Sequence, residues 1–175
     1  MKEILTERPP KVAVAKGLKK WLVTMNLNIE EVTDGYSCDS FTTEVDHRPT
    51  IDDVRDAIIA HIDAETDDKI LSGYQWLILH GEDEGKVANV WLSAENQSNY
   101  KAYHDAAHDY PDLAEFPVRY KVGEDSEKKP IYENFQNLQE LAQFYLGGIA
   151  YIRQMLTEGW REKDAVNEWL EDVVL

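Results

Sequence analysis

The stretch with the clearest chemical potential is His104-Asp105-Ala106-Ala107-His108-Asp109. Two His at i and i+4 share one face of a helix, the spacing that lets both imidazoles reach one metal ion. A zinc hydrolase of the H-E-x-x-H type needs a Glu directly after the first His as general base, and that position is Asp105. A closed structural site takes four ligands; Asp112, Glu115 or His80 would have to converge in the fold to complete one. His104 and His108 are therefore read first as a polar helix face and second as weak metal candidates. A metal-assisted hydrolase built on them is the least favoured function. No Gly-rich phosphate loop, G-x-S-x-G elbow or paired CxxC is present. Carboxylates are so numerous that no pair stands out for acid–base work. The expectation is a chain with no enzymatic activity and no cofactor.

Other residue types point to packing or contact. Cys38 is the only cysteine, so no internal disulfide can form, and it reads as a small packing residue in a reducing compartment. Gly147-Gly148 falls inside a helical pattern, where each Gly costs about 1 kcal/mol relative to Ala. Either another helix approaches closely there, from a second chain included, or the pair marks an internal packing kink. Tyr100, Tyr103, Tyr110 and Tyr120 read as core, with a binding surface as the rival. Lys16, Lys19 and Lys20 are the basic residues singled out for partner contact.

These residues need elements to position them. Trp21, Val23, Met25 and Leu27 alternate with Leu22, Thr24, Asn26 and Asn28, predicting a strand. Thr33-Asp34-Gly35 turns the chain and residues 36–45 return as a hairpin. Thr50-Ile51-Asp52-Asp53 resembles a capping box with Asp in the place of Glu, opening a helix through Ile51, Val54, Ile58 and Ile62 to about Ala64. The acidic run 63–68 lacks the mid-loop Gly and the position-twelve Glu of a calcium loop, so it reads as a solvated helix exit. A hairpin is expected from 73–80 and 87–92, with Ser93 capping a helix to about His108. Strands follow near 116–122 and 131–135. Asn137 caps the longest helix, which Gly159 is expected to stop, and 161–174 forms a last amphipathic helix. The expected fold class is α+β: antiparallel hairpins packed against helices, with a long C-terminal helix followed by a shorter one. The expected divisions are a basic N-terminal arm at 1–18, a hairpin plus helix at 19–68, and an α+β domain at 69–175.

Composition sets outer bounds. The chain has 175 residues, 43% of them hydrophobic, enough for a real core. The net charge is −16 and uneven. Residues 1–24 hold six Lys/Arg against two Asp/Glu, whereas the remainder holds twelve against thirty-two. So acidic a body repels phosphate, and direct nucleic-acid binding is not expected. There is neither a run of about eighteen apolar residues nor a signal-like h-region, so neither membrane insertion nor secretion is expected.

Two stretches carry a resemblance. They are Lys69-Ile70-Leu71-Ser72-Gly73 through Val90-Trp91-Leu92-Ser93-Ala94-Glu95-Asn96-Gln97-Ser98-Asn99-Tyr100, and Asn137-Leu138-Gln139-Glu140-Leu141, Phe144-Tyr145, Ala150-Tyr151-Ile152 with Glu158-Gly159-Trp160-Arg161-Glu162-Lys163-Asp164-Ala165. Together they resemble an uncharacterised domain family of phage and prophage proteins from gut bacteria, encoded near tail-fibre genes. The resemblance spans about 69–165 and implies no catalytic residue. Its Trp-Leu pair, Trp91 and Leu92, is expected in the core, locking a hairpin to the next helix. The function it implies is a non-catalytic tail-associated structural or assembly protein acting through protein–protein contacts. Partners would be other phage proteins or further copies of the chain in an oligomer, and the location the bacterial cytoplasm or the virion. The alternative is an acidic nucleic-acid mimic that inhibits a host defence enzyme.

Overall fold

The alternation at the N-terminal end builds the sheet it predicts. In a computed structural model, which describes residues 2–125 and 127–175, the chain forms β1 (Lys2–Leu5), β2 (Val12–Lys16), β3 (Trp21–Val32), β4 (Gly35–Val45), α1 (Ile51–Ser72), β5 (Tyr74–Leu77), β6 (Val87–Val90), α2 (Ala94–Asp109), β7 (Val118–Glu124), β8 (Pro130–Phe135), α3 (Leu138–Asp164) and α4 (Val166–Leu170). Strand pairing is antiparallel throughout, and the fold class is α+β. The long helix α3 is followed by the shorter α4. The chain divides into two compact units, 1–63 with 160–175, and 64–159.

In the first unit the strand order is β1-β4-β3-β2. The β3–β4 register runs from Trp21↔Val45 to Leu27↔Asp39 and resumes at Glu30↔Ser37 after a bulge. Asn28, within the bulge, takes a left-handed φ of 50°, a conformation Asn tolerates better than most side chains. Val23 and Met25 point to one face, where Val54, Ile58 and Ile62 of α1 and Val166 and Leu170 of α4 close a buried core. Each such side chain contributes about 1.5–3 kcal/mol on burial. The chain must pass from one sheet edge to the other between β1 and β2. Asn26 fastens that passage, its Nδ2 donating to Pro10 O at 2.7 Å while its Oδ1 accepts from Ser40 Oγ at 2.6 Å. The α1 cap forms as expected: Thr50 N–H and Oγ–H donate to Asp53 Oδ2 at 2.8 and 2.6 Å.

In the second unit two hairpins, β5–β6 and β7–β8, pack with α2 and α3 around Phe144. The rings of Trp76, Tyr100 and Phe135 lie 5.2, 5.0 and 5.1 Å from its centroid. Ser93 caps α2, its Oγ accepting from Asn96 N–H at 3.3 Å.

Several boundaries differ from the sequence reading, each for a physical reason. Residues 2–5 and 12–16 are sheet strands and not a loose arm, because β4 and β3 each offer an open edge to them. The unit boundaries are not those at 18 and 68, because α4 supplies Val166 and Leu170 to the N-terminal core. Helix α1 continues through the acidic run to Ser72, since nothing before Gly73 breaks it. Gly159 does not stop α3; a Cβ there would lie 2.5 Å from Thr66 Oγ1, so the Gly serves close packing inside a helix that runs on to Asp164. The last helix shrinks accordingly to Val166–Leu170. Trp91 is 39% exposed, whereas Leu92 is buried. Both lie just past β6, whose alternation of inward Ala88 and Val90 with outward Val87 and Asn89 carries on through them.

The start of α1 carries a histidine held between two carboxylates. His47 lies 3.1 Å from Asp46 Oδ1 and 3.0 Å from Asp53 Oδ2. The hydrogen bond to Asp46, then that to Asp53, raises its pKa above the ordinary 6.5. A raised pKa stabilises the fold fully below the unfolded value of 6.5, and the contribution fades as pH climbs through the folded value. We expect the thermal midpoint of the native chain to fall toward that of His47→Gln as pH rises from about 6 to 8. A constant difference between the two across that window would refute the linkage.

Candidate functional site

Among the described residues, Glu133 on β8 is an acidic side chain buried completely in the second unit. Its Oε2 accepts from Trp76 Nε1–H at 2.9 Å and Leu79 N–H at 2.7 Å, and its Oε1 from His80 N–H at 3.0 Å and Asn134 N–H at 2.9 Å. A buried carboxylate is costly unless donors surround it, and here both oxygens are occupied. The reverse tie comes from Asp83, whose Oδ2 accepts from Tyr132 N–H at 3.1 Å and whose Oδ1 accepts from Lys86 Nζ at 2.8 Å. The Lys86 bond, then that from Tyr132, holds the Asp83 pKa below its usual range. Glu133 escaped the sequence reading. Its signal was position: Ile131, Glu133 and Phe135 all take inward places on β8, so a charge interrupts an apolar row.

A cleft of about 280 Å³ opens between α2 and α3. Leu92, Phe144 and Gly148 line its floor, Ile152 a wall, and Ser98 and Lys101 its polar side. Lys101 is paired with Asp105 along α2. Such a lining can hold an apolar side chain or a small apolar ligand.

Near this cleft the two singled-out imidazoles do not share a ligand. His104 Nδ1 lies 3.2 Å from Asp105 Oδ1 and His108 Nδ1 lies 3.1 Å from Asp109 Oδ1. Their rings stack loosely, 6.4 Å apart, and His104 also lies 5.1 Å from the ring of Tyr145. His80 is occupied elsewhere, with Nε2 3.3 Å from Glu140 Oε2. Among the described residues no group of three or more His, Cys, Asp or Glu is placed to hold a metal ion.

Gly147 and Gly148 face inward, toward the chain's own residues. A Cβ at Gly147 would sit 2.3 Å from Tyr74 Oη, and one at Gly148 would sit 3.4 Å from Leu92 Cδ2. Of the two readings left open for this pair, a partner helix or internal packing, these contacts fit internal packing. Tyr74 Oη–H donates to Phe144 O at 3.2 Å, and burial pushes its pKa up to about 12. The arrangement is reciprocal. Tyr151 of α3 donates to Lys69 O at 2.9 Å, over Gly73, where a Cβ would meet its hydroxyl at 2.0 Å. Of the Tyr group, Tyr100 is buried as expected, whereas Tyr110 is exposed.

The basic trio lies in the first unit. Lys16 Nζ is 5.5 Å from the Trp21 ring centroid, and Lys20 Nζ donates to Glu44 Oε2 at 2.8 Å, which raises the Lys20 pKa. Lys19 is exposed in the turn between them. Cys38 is fully buried beside Asn26 and Ser40.

Two substitutions test the packing argument. Glu133→Gln turns an NH2 group toward N–H donors and should cost at least about 2 kcal/mol in urea unfolding followed by Trp fluorescence. Gly147→Ala should destabilise by about 1–3 kcal/mol, outweighing the roughly 1 kcal/mol that Ala gains in helix propensity. A stabilised Gly147→Ala chain would show that Tyr74 moves aside freely. Compared with protein-family models, curated proteins and solved structures, the chain finds no match.

Proposed function

We propose that the chain is a phage or prophage tail-associated structural or assembly protein that acts through protein–protein contacts and makes no bonds of its own. One observation carries this reading. The resemblance to the phage-type family spans about 69–165, and residues 64–159 form a compact unit with its own core. Within it, residues of the resembling stretches hold structural posts: Leu92, Tyr100, Leu141 and Phe144 are buried, Gly73 accommodates Tyr151, and Gly159 accommodates Thr66. The groups best suited to chemistry are already engaged, Glu133 by four N–H donors and each α2 His by the Asp beside it. Synthesis in the bacterial cytoplasm, with incorporation into the virion or release after assembly, follows from the same reading. Among the described residues no helix is long and apolar enough to cross a membrane.

The test is physical association. In a lysate from an induced prophage, the tagged chain should co-sediment with tail particles on a density gradient and cross-link to a tail protein identified by mass spectrometry. Sedimentation wholly apart from tails and tail intermediates, with no tail protein cross-linked, would remove the reading.

A further inference from the structure

The cleft between α2 and α3 sets an apolar floor beside a rim of hydrogen-bond donors. Leu92, Phe144 and the buried Gly148 form the floor. A Gly inside a helix lowers its stability, so each one calls for a reason. Packing supplies that reason at Gly147, where a Cβ would lie 2.3 Å from Tyr74 Oη. At Gly148 the demand is weaker: the nearest atom to a Cβ would be Leu92 Cδ2 at 3.4 Å, an ordinary contact at the end of a side chain. A methyl group would fit there. Its omission keeps the floor of the cleft open.

The rim carries Ser98, Lys101 and Tyr145. Lys101 Nζ donates to Asp105 Oδ2, and an ammonium so engaged keeps further N–H donors. The other Asp105 oxygen lies 3.2 Å from His104 Nδ1, so Asp105 keeps a partner if Lys101 shares its charge with a second acceptor. The hydrogen bond to Asp105 chiefly raises the Lys101 pKa and Tyr145 adds to the effect, which sets the ammonium and the phenol near one another. Among the described residues neither Ser98 Oγ nor Tyr145 Oη has a hydrogen-bond partner. Donors without acceptors, one of them cationic, suit a carboxylate, which only accepts. The rings of Phe144 and Tyr145 suit an aromatic body, packed edge-on or offset. The volume of about 280 Å³ matches roughly nine waters at about 30 Å³ each, the size of one ring with a short arm.

We propose that the α2–α3 cleft binds a small aryl-alkyl carboxylate, its ring on Phe144 over Gly148 and its carboxylate at Lys101 and Tyr145. The inference goes beyond the tail assignment and does not rest on it. Lys101 keeps its place at the rim and turns a second N–H toward the ligand, an inexpensive change for an exposed ion pair.

Titration of the isotope-labelled full chain with 3-phenylpropanoate should give saturable amide shifts at Gly148 and Lys101, with a Kd below about 1 mM. 3-Phenylpropanol has the same ring and arm without the charge and should bind at least about fivefold more weakly. Lys101→Met keeps the aliphatic stem and should bring the acid down to the level of the alcohol, with an unchanged far-UV spectrum. Gly148→Ala should fold with an equal or higher thermal midpoint, yet bind the acid at least about threefold more weakly. No saturable shift up to about 10 mM acid overturns the proposal, as do shifts centred away from the cleft. Equal binding of acid and alcohol overturns it too. A lowered midpoint with unchanged binding in Gly148→Ala would make that residue a packing feature alone and also overturn it.

Discussion

Two hairpins that belong to separate sheets need something other than a shared ladder to hold them, and in the second unit carboxylates do this. Glu133 reaches from β8 to the backbone at Leu79 and His80, and Asp83 reaches back from the β5–β6 turn to the backbone at Tyr132. Each side chain stands in for strand-to-strand hydrogen bonds. Much of the remaining core follows from this pairing. The indole of Trp76, fixed by Glu133, meets Phe144 edge-on at 86°, and Phe144 in turn meets Tyr100 of α2 at 83°. The desolvation cost of one carboxylate, several kcal/mol by itself, is offset by charge-assisted bonds that also specify the loop.

Helix α3 is set by a second constraint of a different kind. Tyr74 occupies the space that Gly147 leaves open, and Tyr151 occupies the space over Gly73. Both hydroxyls then satisfy helix carbonyls, Tyr74 that of Phe144 and Tyr151 that of Lys69. Ring, gap and hydrogen bond together fix rotation and depth, which apolar contact alone leaves soft.

How much of this could be read from the residues depended on whether the cause was local. The cap at Thr50 and Asp53, the strand through Trp21 and Met25, the hairpin before Ser93 and the α2 start were legible, because their signals lie within a few residues. Gly159 misled because a Gly beyond an apolar face looks like a stop, and only Thr66, distant in sequence, shows it to be a contact. The strands at 2–5 and 12–16 were missed for the same reason: neither alternates strongly, and both depend on edges provided by β4 and β3. Of the candidate residues, the spacing of His104 and His108 placed them correctly on one helix, but spacing could not show that each imidazole would take the carboxylate beside it. The inward-facing partners of Gly147 were invisible without the fold.

The return of α4 to the N-terminal sheet bears on how the chain is made. A ribosome releases residues 64–159 with every apolar partner of their core already present, so that part can consolidate during translation. The sheet at 2–45 must wait, since Val166 and Leu170 of its core emerge only after residues 64–159. Until then Val23 and Met25 remain without their full cover, the kind of transiently exposed apolar surface that favours mispairing.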